Sequence, residues 1–160
     1  MTPSLLARYP NWLATQMETG NFGAVSMAYF YPAEIEYDGK CYLVESPGDL
    51  VRVLATYHAV FNHFALRPHK FKLNNRPNWT SKHFRVFVEQ EFRAPGSDQA
   101  MVAQLEFFLK WRKFRPGICK VVVHKLPHGR RIAAQRVVKA LETSGRQTEP
   151  QEKEDLVKVL

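Results

Sequence analysis

The sequence predicts an α+β protein in which a long antiparallel meander of strands packs against helices. Within residues 82–126 the segments HFRVFVEQEFR, MVAQLEFFLKWRKF and ICKVVVHKL follow one another, each with the two-residue alternation and the Val, Phe and Ile content of a strand. Pro-Gly pairs at 95–96 and 116–117 separate them. Helical patterns before and after the meander supply a second layer, and 160 residues are enough for one domain with its own core.

The N-terminal region predicts two helices. Residues 4–19 carry a helical apolar stripe that ends at Gly20, and Asn21 is a suitable N-cap for a second helix over 22–31. Pro32 stops this second helix, because proline lacks the N–H that a helix interior needs. Its segment VSMAYFY favours a strand on propensity alone, so two signals conflict here.

A hairpin and a third helix follow. Residues 33–37 and 40–44 predict short strands joined by Asp-Gly at 38–39, which suits the two positive φ angles of a type I′ turn. The sequence SPGD at 46–49 supplies a capping hydroxyl, a first-turn proline and an acid three residues after the cap, so a helix begins there. Its apolar stripe, which predicts packing onto the sheet, consists of Leu50, Val53, Leu54, Tyr57, Phe61 and Phe64.

The remaining elements flank the meander. Residues 68–75 alternate as a further strand, and a loop rich in Asn and Pro follows it. After the meander, residues 128–142 predict a helix, with a stop at Gly145. Residues 146–160 predict a charged tail, which is either disordered or ends in a short docking helix.

Composition narrows the classes of protein. The chain is 45% apolar, and no apolar run approaches the roughly 20 residues that span a bilayer. The N-terminus lacks the pattern of a secretory signal, so we expect a soluble cytoplasmic protein. Cys41 and Cys119 lie in no CxxC or Cys/His cluster, and we expect buried thiols.

Positive charge is concentrated in the middle of the chain. The net charge is +8, but residues 41–140 hold 18 basic and 6 acidic residues, a net charge of +12. Such a field attracts an anionic partner or substrate, although a basic balance also occurs on ordinary solvated faces.

Four short motifs occur within the order helix, helix, hairpin, capped helix and long strands. They are TGNFGAVS at 19–26, YFYP at 29–32, IEY at 35–37 and PGDL at 47–50. Together they resemble the nuclear transport factor 2-like (NTF2-like) superfamily, and within it the polyketide-cyclase-like (SnoaL-like) group. In that group a Gly-Asn/Asp break precedes a short helix that ends in an aromatic segment, so the resemblance favours helix over 22–31.

The resemblance implies a fold but no single function. It implies a strongly curved mixed or antiparallel sheet wrapped around N-terminal helices as a cone, a cystatin-like roll with an inner pocket and often a dimer through the outer face. The cone domain covers 1–126, followed by a C-terminal helix extension over 127–145 and the charged tail over 146–160. Isomerases, dehydratases, cyclases and non-catalytic binding modules share this fold. Their enzymes generally use an aspartate that projects into the cone, and no aspartate of this chain stands on a core-facing strand position.

Alternation along the strands predicts an inner apolar face with few polar groups. Gln90 interrupts it, Tyr57 lies on the stripe of the third helix, and His58 borders that stripe. His58 is the candidate general base, with Tyr57 or Gln90 as a hydrogen-bond donor. His124 on the last strand is a further candidate for contact with a ligand. The alternative is that these groups are hydrogen-bonded core residues. The expected ligand-binding residues are Tyr57, His58, Gln90, Phe107 and Trp111.

The opposite, outer face mixes charges with phenylalanines. This pattern predicts a homodimer interface, with a solvated surface as the alternative. We assign no acid–base role to Glu89 and Glu106, because such chemistry needs a concave, desolvated site. The expected interface residues are Arg85, Phe87, Glu89, Glu106, Phe108 and Lys110.

Other binding motifs are weak or missing. The segment KWRKFR at 110–115 interleaves bases with aromatics, as a nucleic-acid platform would. Strand alternation turns Trp111 toward the core and splits this cluster, so nucleic acid is not an expected partner. We also expect no metal, no cofactor and no membrane partner, because the corresponding motifs and a long apolar run are missing from the sequence.

The function predicted from the sequence is binding of a small, largely apolar molecule between the helices and the concave sheet face. Because residues 41–140 carry a net positive charge, an anionic ligand also remains an alternative. Two alternatives also remain open: an enzyme of the cyclase, isomerase or dehydratase type using the same pocket, and a dimeric protein-interaction module with a basic face. An enzyme requires a polar group deep in a real cavity.

Overall fold

The computed structural model describes residues 3–63, 65–74, 78, 80–127 and 131–148. Phe64, residues 128–130 of the predicted last helix and most of the predicted tail lie outside the described residues. The helices are α1 (Pro3–Glu18), α2 (Phe22–Ser26), α3 (Pro47–His63) and α4 (Arg131–Ser144). The strands are β1 (Tyr29–Tyr37), β2 (Lys40–Val44), β3 (Arg67–Leu73), β4 (His83–Arg93), β5 (Met101–Arg112), β6 (Arg115–Lys125) and β7 (Arg146–Thr148).

All seven strands form one mixed sheet in the order β3-β4-β5-β6-β1-β2-β7. Strands β4 to β6 make the predicted antiparallel meander, in which Phe107 lies opposite both Val86 and Val121, and β3 pairs antiparallel with β4. Strand β1 instead runs parallel to β6, with Ile35 opposite Val121. The prediction of an α+β fold with a curved mixed sheet, packed helices and a C-terminal helix is confirmed.

The main core lies between the inner face of the sheet and the helices. Leu50 of α3 and Phe107 of β5 belong to one buried cluster, and Val137 and Leu141 of α4 belong to the same cluster. Complete burial of such a side chain stabilises the fold by about 1.5–3 kcal/mol. The C-terminal helix therefore contributes directly to the core of the whole chain.

Strand β7 extends the sheet beyond β2, with the backbone of Tyr42 opposite that of Gln147. The sequence predicted no strand at this position, where it placed the start of the tail. Gly145 allows the chain to turn from the end of α4 back to the edge of β2. Its N–H donates to the Leu141 carbonyl oxygen at 2.8 Å, and a Cβ on Gly145 would lie 2.8 Å from the same oxygen. A three-residue strand has too little alternation to be recognised from sequence, and it forms because the turn delivers it to the β2 edge.

Two local motifs fold as predicted. The Asp38-Gly39 turn joins β1 to β2, with φ angles of 51° and 73° at these two residues. At the start of α3, Ser46 Oγ accepts a hydrogen bond from the Asp49 N–H at 3.2 Å and donates one to Asp49 Oδ2 at 2.7 Å. The hydrogen bond from Ser46 lowers the pKa of the Asp49 carboxyl, so this cap favours the charged form beside the positive helix end.

The helix predicted over 22–31 is wrong beyond Ser26. Helix α2 is a single turn, in which the Asn21 side chain accepts a hydrogen bond from the Ala24 N–H at 3.3 Å. The N-cap was therefore identified correctly, but it starts only a short helix.

From Tyr29 onward the chain is a strand, as the propensity of its aromatic residues favoured. Tyr29 lies opposite Ile118 of β6, and pairing then shifts register before it resumes at Glu34. Pro32 lies within this shift and has no paired residue in either neighbouring ladder, so its missing N–H costs no ladder hydrogen bond. The strand forms because β6 offers a partner, which a local helix signal does not reveal.

The sequence predicts the second break in the meander at Pro116-Gly117, but the turn between β5 and β6 lies earlier in the chain. The chain turns at Lys113 and Phe114, where Lys113 has a φ of 55°, and Pro116 and Gly117 lie inside β6. Gly117 serves close packing here: a Cβ at this position would lie 2.4 Å from the nearest atom of the Phe30 ring.

Replacing Gly117 with Ala should lower the free energy of unfolding by about 1–3 kcal/mol, because the buried Phe30 ring must move to admit the new methyl group. The measurement is urea denaturation followed by circular dichroism. Gly23→Ala is the control, since a Cβ there meets nothing within 4 Å. Equal stability of the two variants would contradict the proposed close packing.

Candidate ligand cavity and outer sheet face

An apolar cavity of about 80 Å³ lies between the helices and the inner face of the sheet. All four helices contribute to its lining, with Leu13 from α1, Val25 from α2, Leu54 from α3 and Leu141 from α4. The strands add side chains that alternate toward the helices, such as Val121 on β6. The cavity is therefore a product of the tertiary packing and of no single element.

The cavity lining is chemically uniform. Every described lining residue is apolar apart from the phenol groups of Tyr29, Tyr37 and Tyr57. Burial raises the pKa of all three tyrosines above the ordinary value, so they stay neutral at physiological pH. Among the described lining residues there is no acid, histidine, lysine or arginine, and the cavity offers neither a general base nor a counter-ion.

Two of the five predicted ligand-binding residues line this cavity, Tyr57 and Phe107. Gln90 is buried beside it, and its Oε1 accepts a hydrogen bond from the Tyr57 hydroxyl at 3.2 Å. Trp111 packs against the core without lining the cavity. Tyr57 and Gln90 are thus hydrogen-bonded to each other, and Tyr57 also lines the cavity, so its contact with a ligand stays a prediction.

His58 does not reach the cavity. Its ring lies half-buried against Phe22, with ring centroids 5.4 Å apart, on the side of α3 that faces α2. The helix period explains this placement, because neighbouring residues point about 100° apart and Tyr57 takes the inward position. The structure therefore gives His58 no position from which to act on a molecule in the cavity.

The sequence analysis missed the tyrosines of β1. Tyr29, Ile35 and Tyr37 all line the cavity, and their odd numbers reflect the two-residue period of a strand. For Tyr29 this signal was hidden when residues 22–31 were assigned to a helix, whereas Ile35 and Tyr37 lay on the predicted strand over 33–37 but were not considered as cavity residues. The contribution of α4 was missed because nothing in its own pattern shows where the helix docks.

The outer face of the sheet contains a buried carboxylate. The side chain of Glu106 is only 8% exposed; its Oε1 accepts a hydrogen bond from Arg85 Nη1 at 3.4 Å, and its Oε2 lies 2.8 Å from His124 Nε2. His124 therefore faces outward, which corrects its assignment as an inner-face candidate. A β-bulge between β5 and β6, opposite Phe108, reverses the alternation of the later β6 residues.

The phenylalanines of the outer face lie among charges that are largely paired within the chain. Phe108 lies under the Arg85 guanidinium and the Lys120 ammonium, at 5.7 Å and 5.9 Å from its ring centroid. Lys120 is also 2.9 Å from Glu36. Partial burial lowers the pKa of Lys120, but the carboxylates of Glu36 and Glu34 outweigh this effect, so the pKa is raised overall. Phe87 remains 39% exposed on this face.

The remaining predicted interface residues share this surface. Glu89 accepts a hydrogen bond from Gln104 at 3.4 Å, and Lys110 lies further along β5 toward the β5–β6 turn. Glu89 and Glu106 are two residues apart in the β4–β5 pairing and do not bond to each other. The outer face therefore places Phe87 and Phe108 among charged residues, of which Arg85, Glu106 and Lys120 form ion pairs.

Two further features concern ligands and membranes. Among the described residues, no group of three or more His, Cys, Asp or Glu side chains is arranged to hold a metal ion. None of the helices within the described ranges is both long and apolar enough to cross a bilayer.

Comparison with known proteins identifies the fold. No protein-family model and no curated protein sequence matches the chain. A domain with a cystatin-like fold from Nostoc punctiforme matches at a TM-score of 0.58 and 12% identity, covering 90% of this chain and 98% of that one. An NTF2-like protein from Cytophaga hutchinsonii matches at a TM-score of 0.51 and 8% identity, covering 79% and 100%. A putative scytalone dehydratase from Novosphingobium aromaticivorans matches at a TM-score of 0.52 and 9% identity, covering 74% and 79%.

At these identities the similarity is one of fold. The chain has the NTF2-like cone, and the resemblance found in the sequence motifs is confirmed at that level.

Two buried tyrosines provide a test of the polar interior. Tyr57 donates to Gln90, whereas the hydroxyl of the fully buried Tyr42 has no hydrogen-bond partner in the described part of the chain. Removing an unpaired buried hydroxyl removes a desolvation cost, but removing a paired one leaves its partner unsatisfied.

Tyr57→Phe should therefore lower the free energy of unfolding by about 1 kcal/mol, and Tyr42→Phe should leave it unchanged or raise it. Both substitutions remove one tyrosine hydroxyl group, so each variant is the control for the other. Thermal and urea denaturation of both variants provide the measurement. A loss of stability in Tyr42→Phe as large as that in Tyr57→Phe would show that the Tyr42 hydroxyl has a partner.

Proposed function

We propose that this NTF2-like chain binds a small, neutral, apolar molecule in the cavity between α3, α4 and the sheet, and that it does so without catalysis. The observation that carries the proposal is the lining, which is apolar except for three neutral phenols. An apolar cavity with few polar groups holds water poorly, because water there finds too few hydrogen-bond partners. An apolar ligand fills it without that cost.

The volume of the cavity sets the scale of the ligand. About 80 Å³ is several times the roughly 10–15 Å³ that one water needs on the same measure, and it is about half of the roughly 150 Å³ of an apolar cavity that binds benzene. A ring or a branched alkyl group is of this size. The neutral phenols provide edges and hydroxyls that can orient such a group.

The same lining argues against the alternatives that the sequence left open. An anionic ligand would lose its hydration without gaining a cationic partner among the described lining residues. A dehydratase or isomerase reaction needs a group that accepts a proton, and the raised pKa values of the three tyrosines keep them protonated at physiological pH, so they cannot serve as that group. The fold shared with a putative scytalone dehydratase supplies the cone but not these groups.

The test compares benzene with benzoate, which differ by a carboxylate, as ligands of the purified protein in calorimetry or amide NMR. Benzene should bind with an affinity that hardly changes with salt, and benzoate should bind at least about tenfold more weakly because its charge has no partner in the cavity. Equal binding of both, with displacement by salt, would contradict the proposal of a neutral-ligand site.

Leu54→Trp should abolish benzene binding, because the indole fills the space that the ligand requires. Ala55→Trp is the matched control, since Ala55 is the next residue of α3 and is exposed to solvent. Circular dichroism and thermal denaturation establish that both variants remain folded. Benzene binding that survives Leu54→Trp would place the ligand elsewhere.

We propose further that two copies of the chain pair through the outer face around Phe87 and Phe108. The support is that Phe87 is exposed within a surface where Arg85 and Lys120 already have carboxylate partners. Burying this surface in a dimer would therefore leave few charges without a partner. A twofold axis makes one such patch self-complementary. The cytoplasmic location predicted from composition stays a prediction.

Phe87→Glu should weaken this dimer at least about tenfold, because it removes an aromatic contact and places like charges opposite each other. Sedimentation velocity over a range of concentrations measures the effect. Phe114→Glu is the control, since it changes an exposed phenylalanine away from this face. A wild-type chain that sediments as a monomer at every concentration would refute the proposal.

A further inference from the structure

The β5–β6 turn carries exposed apolar and cationic side chains that neither the cavity nor the outer-face patch uses. We call this group the basic tip: Arg112, Lys113, Phe114 and Arg115, together with Met27. Phe114 is 86% exposed and Met27 is 62% exposed. Arg115 Nη1 donates a hydrogen bond to the Met27 carbonyl oxygen at 2.8 Å, which fixes the loop after α2 beside the turn.

The two arginines of the basic tip are held in place, but none of its three cations is neutralised by a carboxylate of the described residues. The guanidinium carbons of Arg112 and Arg115 lie 4.6 Å and 4.7 Å from the centroid of the buried Phe30 ring. Within the described part of the chain, no carboxylate forms an ion pair with Arg112, Lys113 or Arg115. The charges of Arg85 and Lys120, by contrast, are matched by Glu106 and Glu36.

An exposed tryptophan adjoins this group. The Tyr9 hydroxyl donates to the carbonyl oxygen of Ala28, the residue after Met27, at 3.5 Å, and the Tyr9 ring stacks on Trp12 with centroids 6.0 Å apart. Trp12 is 40% exposed. Arg115 is close enough to Tyr9 to oppose the rise in its pKa, which burial brings to about 12. Three of the four exposed large hydrophobic side chains in the described residues are thus connected through Arg115 and Tyr9.

We propose that the basic tip docks the protein on an anionic lipid bilayer. Phe114, Met27 and Trp12 enter the boundary between headgroups and acyl chains, while Arg112, Lys113 and Arg115 contact lipid phosphates. Both parts of the surface are needed: the cations concentrate the protein at a negatively charged membrane, and the apolar side chains hold it there.

The exposed side chains of the basic tip favour a membrane over other anionic partners. Phe114 lies on a turn and Met27 in a loop, and both are exposed apolar side chains of the kind that enters a lipid surface, whereas single-stranded nucleic acid binds aromatic platforms for successive bases. Trp111, which a stacking platform would require, packs against the core. The expectation of no membrane partner rested on the lack of a long apolar run, and a peripheral contact does not need one.

The test measures co-sedimentation of the full chain with vesicles of phosphatidylcholine alone and of phosphatidylcholine mixed with phosphatidylglycerol. Wild-type protein should bind the anionic vesicles and be released by salt. Phe114→Ala should weaken binding about tenfold or more, and Lys113→Ala about fivefold. Both residues are exposed, so the fold should tolerate either change, as thermal denaturation will verify.

Lys40→Ala is the matched control for Lys113→Ala. It removes an exposed lysine from the first position of β2, where Lys40 lies opposite Tyr37 and outside the basic tip. This variant should bind anionic vesicles as wild type does. An equal loss in this control, absence of vesicle binding, or tighter binding to single-stranded nucleic acid that depends on Phe114 would each overturn the proposal.

A separate readout tests insertion. Phe114→Trp should show quenching of tryptophan fluorescence by brominated lipid acyl chains above the level of the wild-type protein. Vesicle binding without any added quenching would mean that only charge contacts are made, and the proposed entry of the apolar side chains would be wrong.

Discussion

The parallel pairing of β1 with β6 is the constraint on which the rest of the structure depends. The Ile118 N–H donates to the Ala28 carbonyl oxygen at 2.9 Å, and from there the two strands run together as far as Tyr37 and Val123. Parallel neighbours cannot be joined by a tight turn, so α3 and the meander form the long connection between them. This pairing brings the N-terminal half of the chain against the last long strand and closes the helices over one face of the sheet.

The character of the cavity follows from that closure. Strand β1 turns Tyr29, Ile35 and Tyr37 inward beside Val121 of β6, and α4 covers the same space with Leu141. Each of these positions is apolar or a neutral phenol, and the hydroxyl of Tyr57 is taken up by Gln90 at 3.2 Å. The described lining of the cone is thus apolar and uncharged, and the proposed binding of a neutral molecule rests on this lining.

Charge has different consequences in different parts of the same sheet. In the middle of the outer face, Glu106 is buried between Arg85 and His124, and Lys120 lies beside Glu36, so these charges stabilise the surface internally. At the β5–β6 turn, the cations cover the Phe30 ring without a carboxylate among the described residues. The cations at that turn therefore differ from Arg85 and Lys120, whose charges are matched by neighbouring carboxylates.

The sequence by itself determined the features that local chemistry controls. The Asp38-Gly39 turn, the Ser46 cap and the alternation of the long strands were all readable, because turn angles, caps and two-residue periods depend on neighbouring residues alone. The predicted dimer surface and the inward positions of Tyr57 and Phe107 came from the same periodicities.

Tertiary structure decided the rest. Residues 29–31 became a strand because β6 pairs with them, Gly117 proved to be a packing site because Phe30 lies against it, and a β-bulge moved His124 to the outside. His58 was placed away from the cavity by the rotation of α3 against the sheet. These outcomes depend on contacts between residues far apart in the chain, and no local pattern records which distant backbone will supply the hydrogen bonds or the space.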